Sequence, residues 1–251
     1  MSETVCPLCD GTGWKIIERN GLSGAARCSC AIAARSANLR KTSNIPPNYE
    51  NASLDTFQIP QENPVARAGL GKVLMQVRSF VREFPTGDRP GLLLVGDTGT
   101  GKTHLAVAAL KAVIEKGHEG LFFDFQNLLD RIRSGYDAAS GTSDREAYRS
   151  AMDADVLMLD DLGSHRVTEW VEDTVTSIIT YRCNHQKPLI ATTNLEIDDN
   201  GPVAYTTAGG TQVHRKTLGD VIGQRARSRL HEMCRIVRMP GVEDYRVKRA
   251  R

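Results

Sequence analysis

The sequence predicts a parallel α/β sheet sandwiched between helices, and three observations carry that prediction. Five short apolar runs, each bounded by turn residues, alternate with helical patterns: Gly91–Gly96, Gly120–Phe125, Asp155–Asp160, Pro188–Thr193 and Arg235–Met239. Four of the five lack polar/apolar alternation, as strands buried on both faces do. The first run enters a glycine-rich turn whose spacing calls for a strand before it and a helix after it.

The helical patterns between these runs cover Val65–Phe84, Lys102–Lys116 (stopped by Gly117), Leu128–Ser134, Thr168–His185 and Leu218–Met233. Helices and strands alternating at this spacing require crossover connections, hence a parallel sheet. Three zones follow along the chain. Residues 1–35 hold four of the six cysteines and read as a small separate module. Residues 36–66 carry Asn44-Ile45-Pro46-Pro47-Asn48 and read as a linker ending in an anchored segment, Tyr49 to Phe57, with few contacts crossing it. Residues 67–251 hold the α/β core and a basic tail. No internal repeat or low-complexity tract is present.

The chain has 251 residues, of which 40% are hydrophobic and 25% charged, with a formal net charge of +2. This is the composition of a globular domain with room for a small extra module. No apolar run approaches the ~18 residues of a membrane span, and the N-terminus has no basic-then-apolar leader pattern. A membrane protein and a secreted disulfide scaffold are therefore excluded, and a cytoplasmic setting is expected. The near-neutral total conceals a gradient: residues 1–50 are net +2, residues 51–211 net −7, and residues 212–251, with eleven basic and four acidic residues, net +7. A basic end on an acidic body suits an anionic partner, or is simply a solvated basic face.

Gly96-Asp97-Thr98-Gly99-Thr100-Gly101-Lys102-Thr103 has the spacing GxxxxGK[ST]. Gly96, Gly99 and Gly101 let the backbone wrap phosphate with its N–H groups pointing inward, and a helix starting near Lys102 aims its positive end at the same anion. Lys102 can reach the β- and γ-phosphates, and the Thr103 hydroxyl can ligate Mg²⁺. About sixty residues on, an apolar run ends in Asp160-Asp161. Asp160 would hold Mg²⁺ through water, and Asp161 would orient the attacking water. A further strand ends in Thr192-Thr193-Asn194, where Asn194 could position that water or merely end the strand in a turn.

Cys6-Pro7-Leu8-Cys9 and Cys28-Ser29-Cys30 form two close pairs across a hairpin-length spacer, and Asp10-Gly11-Thr12-Gly13 permits a tight knuckle after the first pair. Four thiolates so arranged suit tetrahedral Zn²⁺, which would supply most of the folding energy of so short a segment. An iron–sulfur cluster, a redox pair or unrelated thiols are the alternatives. Cys183 and Cys234 read as packing residues.

The run of motifs GKTHLA (101–106), LDDLG (159–163), ITYR…TTN (179–194) and SRLHEMC (228–234) resembles the AAA+ ATPases. Within them it resembles the bacterial DnaC/DnaI-type replicative helicase loaders and the related IstB-type transposition helpers, over about residues 47–251. The resemblance implies ATP contacts along Gly96, Thr98, Gly99, Thr100, Gly101, Lys102, Thr103 and His104. It implies Walker B roles for Asp160 and Asp161, and a sensor role for Asn194. It also implies an arginine finger acting on a neighbouring subunit's ATP, with Arg229 first and Arg225 second, and a sensor 2-like Arg246. Where many relatives have Glu, this chain has Asp161. Only Pro240–Arg251 follow the last strand, so the helical lid is absent or vestigial. Asp199–Lys216 is longer than the family's usual connection and reads as a mobile loop.

The cysteine module resembles the zinc-binding, helicase-contacting domain of DnaI-type loaders, which IstB-type helpers usually lack. The resemblance therefore implies a loader that binds a DnaB-like helicase and ssDNA, carries ATP, Mg²⁺ and Zn²⁺, and assembles with its own copies when ATP-bound. A transposition helper is the alternative of the same class. A zinc-dependent nucleic-acid adaptor that binds nucleotide without turnover is an alternative of another class. A small-molecule kinase would need an acceptor pocket and a mobile lid, for which the sequence has no room. The stretch Gln126–Met152, with Arg131, Arg133, Tyr136, Arg145, Tyr148 and Arg149, corresponds to the family's ssDNA-facing helices, or is a solvated amphipathic pair.

Overall fold

In the computed structural model, every residue is described except 1–4, 20–21, 86, 135–142, 165, 167, 198–203, 207–211, 215, 246 and 248–251. The chain opens with an antiparallel hairpin, β1 (Trp14–Arg19) and β2 (Leu22–Arg27), followed by helix α1 (Ser29–Thr42) and a 3-10 turn at Pro47–Tyr49. The core then runs α2 (Pro64–Glu83), β3 (Gly91–Val95), α3 (Lys102–Glu115), β4 (Gly120–Asp124), α4 (Phe125–Ser134), α5 (Ser143–Asp153), β5 (Val156–Asp160), α6 (Glu169–Asn184) and β6 (Leu189–Thr193). A short hairpin, β7 (Ala204–Thr206) with β8 (Gln212–His214), precedes α7 (Gly219–Ile222), α8 (Gln224–Met233) and β9 (Cys234–Arg238).

Five strands form one sheet in the order β4-β5-β6-β3-β9, every pair parallel. Their inward residues explain the two layers. Leu92, Leu94, Met158 and Ile190 meet α2 and α3 on one face, while Leu93, Val95, Leu157, Leu159 and Ala191 meet α4–α8 on the other. Strands β3, β5 and β6 are buried at every residue, which is why they read as continuous apolar runs. Strand order places the C-terminal ends of β3, β6 and β5 side by side, the crevice where open α/β sheets bind ligands.

One buried cation locks the far side of this arrangement. Arg182 on α6 is fully buried, and its guanidinium donates to five backbone carbonyls: Ala151, Met152 and Ala154 at the end of α5, Asp155 before β5, and Pro188 before β6. A cation at the C-terminal end of α5 also meets the negative end of that helix. Burial pulls the Arg182 guanidinium down to about 10, so it stays charged at neutral pH.

Three expectations change. The boundary at residue 35 falls inside α1, which runs on to Thr42 and docks on the core: Ser36 Oγ donates to the carbonyls of Ile114 and Glu115, Arg40 pairs with Glu115, and Ser43 O accepts the Phe122 N–H of β4 at 2.8 Å. Beyond α1, Tyr49, Leu54 and Phe57 pack against the α2–α3 layer, as expected of an anchored segment, but Ile45 and Ile59 do so too, so the stretch expected to make few contacts with the core is itself attached. The helix expected over Leu218–Met233 is split by Gly223, whose φ of 82° breaks the turn. Of the expected loop over Asp199–Lys216, residues 199–203, 207–211 and 215 lie outside the described residues, and the remainder contains the β7–β8 hairpin. Among the described residues no helical bundle follows β9, and no helix is long and apolar enough to cross a membrane.

Candidate functional site

The glycine loop leaves β3 at Gly96 and enters α3 at Lys102. Gly99 and Gly101 have φ of 76° and 93°, in the left-handed region that favours glycine. Gly101 is the N-cap of α3 and offers no side-chain cap, so the first backbone N–H groups of the helix face the loop without a side-chain acceptor. A β-carbon at Gly101 would stand 2.7 Å from the Phe57 ring. Lys102 is buried, with Nζ donating to Asp97 O at 2.8 Å, and Thr100 Oγ1 donates to the same carbonyl.

The acids sit one strand beyond. Asp160 is 7% exposed, and Thr192 Oγ1 on β6 donates to its Oδ1 at 2.7 Å. The same hydroxyl accepts the Asp161 N–H at 2.9 Å. Burial holds the Asp160 carboxyl above its ordinary value. Asp161 and Asp124 push it further, while hydrogen bonds from Thr192 and Thr103 oppose. Thr103 and Asp160 are thus neighbours where the glycine loop meets the strand-end acid, the point at which a divalent cation would be held. Asp161 adopts φ of 53°, uncommon for a residue with a side chain, and Asn194 Nδ2 donates to its Oδ1 at 3.4 Å. Asn194 Oδ1 is buried and has no hydrogen-bond partner among the described residues.

A cavity of about 620 Å³ extends from this crevice. Thr98–His104, Asp161 and Asn194 line it together with Tyr49, Phe57, Gln58, Asn63, Leu70 and Tyr245. That volume falls in the range of small-molecule sites, and the loop's phosphate-binding groups beside aromatic and apolar side chains fit a nucleotide. His104 lies on the wall: its Nε2 is 3.0 Å from Ser53 O and 3.4 Å from Thr56 Oγ1, so it ties the 49–57 segment to the phosphate helix. Lys111, two turns along α3, donates to Glu50 O and Ala52 O and completes that tether.

The cysteines converge as a second cluster. The Sγ atoms of Cys6, Cys9, Cys28 and Cys30 all lie within 4.8 Å of one another, with Cys6–Cys28 at 3.9 Å and Cys9–Cys30 at 3.4 Å. A tetrahedral zinc site with Zn–S bonds of about 2.3 Å has S···S edges of about 3.8 Å, so the donor set fits. The knuckle forms as its residues suggest: Asp10, Gly11 and Gly13 take positive φ, and the Gly13 N–H donates to Cys9 Sγ. Cys28 caps α1, and its thiol is drawn below the ordinary value, chiefly by the Cys30 backbone N–H.

The arginines are scattered. Arg229 pairs with Glu232 on its own helix at 2.6 Å, and Arg225 is exposed on the adjacent turn. Neither lines the cavity. Arg246 lies outside the described residues. Two participants had no sequence signal singled out for them. Asp124 ends β4 in register with Asp160, much as Asp160 ends β5, and Thr192 was visible only as a strand-end polar residue.

Known proteins share this arrangement. The sequence profile of the family described as IstB-like ATP binding protein matches residues 76–208, more than half of the chain. The chain belongs to that family. It is 24% identical over 215 residues to the phage-like element PBSX protein XkdC of Bacillus subtilis, covering 83% of this chain and 78% of that protein. It is also 24% identical over 193 residues to the replicative helicase loader DnaC of Escherichia coli, covering 75% of each. The crystal structure of the DnaC helicase loader superposes with a TM-score of 0.60 at 32% identity, covering 78% of this chain and 100% of that one. The AMPPCP-bound DnaA structure from Aquifex aeolicus shares the fold at 18% identity and a TM-score of 0.57. The IstB-like chain is thus an AAA+ P-loop protein of the ATP-binding type, with helicase loaders among its homologues.

Proposed function

We propose that this protein is an ATP-dependent loader of a DnaB-like replicative helicase, cytoplasmic and active as an assembly of its own copies when ATP-bound. The observation that carries the reading is the match to the whole length of a helicase loader structure, supported by the cavity beside the glycine loop. Lys102 and the α3 N-terminus would hold the β- and γ-phosphates. Thr103 and Asp160 would hold Mg²⁺, which supplies charge neutralisation on the phosphates. Asp161, braced by Asn194 and by its backbone bond to Thr192, would orient the attacking water. Arg229 or Arg225 would complete the site of a neighbouring copy. Zinc held by Cys6, Cys9, Cys28 and Cys30 would fix the hairpin, whose Trp14 and Ile16 are exposed for the helicase.

Single-stranded DNA would run along α4. Arg131 lies over the Phe123 ring and Arg133 over Trp170, leaving two basic groups at the last turn of that helix, with Arg149 exposed on α5. Tyr148 bonds Ser177 and so serves packing; Tyr136 and the Arg145 side chain lie outside the described residues.

The second reading, a transposition helper, is favoured by the family profile itself. Affinity capture from the native host decides between them: retention of the replicative helicase supports loading, and retention of a transposase without helicase supports the helper. A chain that binds ATP in register with the site but never turns it over, with or without DNA, would instead be a nucleotide-binding adaptor.

A further inference from the structure

After β9 the chain does not leave the molecule; it turns back across the glycine loop. Met239 N–H donates to Val95 O at 2.7 Å, and Pro240 presses on α2 so closely that a β-carbon at Gly69 would stand 2.9 Å from it. Tyr245 N–H then donates to Gly99 O at 3.1 Å, and its hydroxyl donates to Gln58 Oε1 at 3.0 Å, 187 positions away in the chain. Val242, Glu243 and Tyr245 thereby form one wall of the 620 Å³ cavity. Between these anchors the Asp244 carboxyl lies against the loop itself: a β-carbon at Gly99 would be 2.0 to 2.4 Å from its three atoms.

We propose that residues 239–245 are a strap that gates the nucleotide site, with Asp244 as an anionic plug whose seating opposes phosphate. The proposal rests on the reading of the cavity as a nucleotide site. The loop is built to attract an anion, through Lys102 and the positive end of α3, and the strap presents one. A polyphosphate entering beside Asp244 brings like charges together in a partly water-excluded crevice, so strap and nucleotide are negatively coupled. Linkage makes the coupling reciprocal: whatever factor the seated strap takes from nucleotide affinity, bound nucleotide takes from strap seating. The latch between Tyr245 and Gln58 links the plug to the 49–58 segment, so release would be felt along the whole cavity wall.

The test uses the full-length protein and two variants. Asp244→Asn keeps size and removes charge. Tyr245→Phe removes only the hydroxyl bond to Gln58. Affinities for ADP and ATP are measured by calorimetry, and exchange of backbone amides in 240–245 by mass spectrometry. Asp244→Asn should tighten ADP and ATP by about 5- to 20-fold at low salt, within the usual span of coupling between two sites, with the gain shrinking as salt rises. Tyr245→Phe should tighten them less, and ADP added to the wild type should speed exchange at the Tyr245 amide. Weaker nucleotide binding by Asp244→Asn, or slower exchange with ADP, would overturn the proposal and make Asp244 part of the binding shell. Failure of the nucleotide reading looks different: wild type and Lys102→Ala would then show the same ADP affinity, or none.

Discussion

The hydroxyl of Thr192 donates to Asp160 Oδ1 at 2.7 Å while accepting the N–H of Asp161 at 2.9 Å, so one β6 side chain sets the geometry of both acids that end β5. Thr192→Val keeps the shape and removes both bonds. Such a variant should fold and still bind ATP, yet lose at least about tenfold in turnover, as expected when a positioned water loses its orienting group. Steady-state ATPase assays beside calorimetric ATP binding check this; unchanged turnover would mean that Asp161 is held from elsewhere.

Asp160 should trade stability for function. Its native carboxyl holds a proton more tightly than the unfolded one, mainly through burial. That stabilisation is present at pH values below the unfolded carboxylate's and disappears as pH rises through the raised native value. Asp160→Asn, without Mg²⁺ or nucleotide, should therefore melt higher at pH 7.5, by about 2–4 °C for each kcal/mol relieved in a protein of this size. The gap should close at acid pH. Calorimetric melting across pH tests it, and a lower melting temperature at pH 7.5 would count against the burial argument.

Arg182→Met should be among the costliest single changes. It strips donors from five carbonyls; Pro188 O keeps the Leu157 N–H, and each of the others left unpaired in the interior costs about 1–3 kcal/mol. A loss of at least about 3 kcal/mol is expected, a large share of the roughly 5–15 kcal/mol a domain has. Urea unfolding provides the measurement, and Arg182→Lys should recover only part, having three donors at one point.

Metal should be found with the hairpin. Purified protein is expected to carry one zinc per chain, and Cys9→Ser to carry much less. Chelation should raise amide exchange across Trp14–Arg27 while leaving Gly91–Val95 protected. Elemental analysis giving no stoichiometric metal would remove zinc from the account.

The finger can be assigned by mixing. Arg229→Ala should bind ATP yet hydrolyse it far more slowly, and adding Lys102→Ala should restore part of the rate through hybrid interfaces with one intact site and one intact finger. If Arg229→Ala hydrolyses normally and Arg225→Ala does not, the exposed arginine holds the role, and the Arg229–Glu232 pair is a surface contact.

The sheet was legible because four of its five strands are apolar runs without polar alternation, and all five lie within two residues of the expected bounds. The glycine loop was legible because its spacing admits few other uses. Helix α1 escaped because its contacts with the core come from Ser36, Leu39 and Arg40 rather than from an apolar stripe. Thr192 and Asp244 escaped for a related reason. Each acts on a group distant in the chain, and no local period marks a residue whose partner is chosen by strand order or by a returning tail.

The carbonyl of Ser43, which receives the Phe122 N–H, has a consequence for how the chain can be cut. Strand β4 is the outermost strand on its side of the sheet, and residues 39–45 are what its open side meets. An open strand edge recruits strands from other molecules. Trimming the first 45 residues to isolate the ATPase portion would thus bare a sticky rim alongside Phe122. The trimmed protein should self-associate and precipitate with concentration, whereas a cut made just before α1, sparing the helix, should stay dispersed.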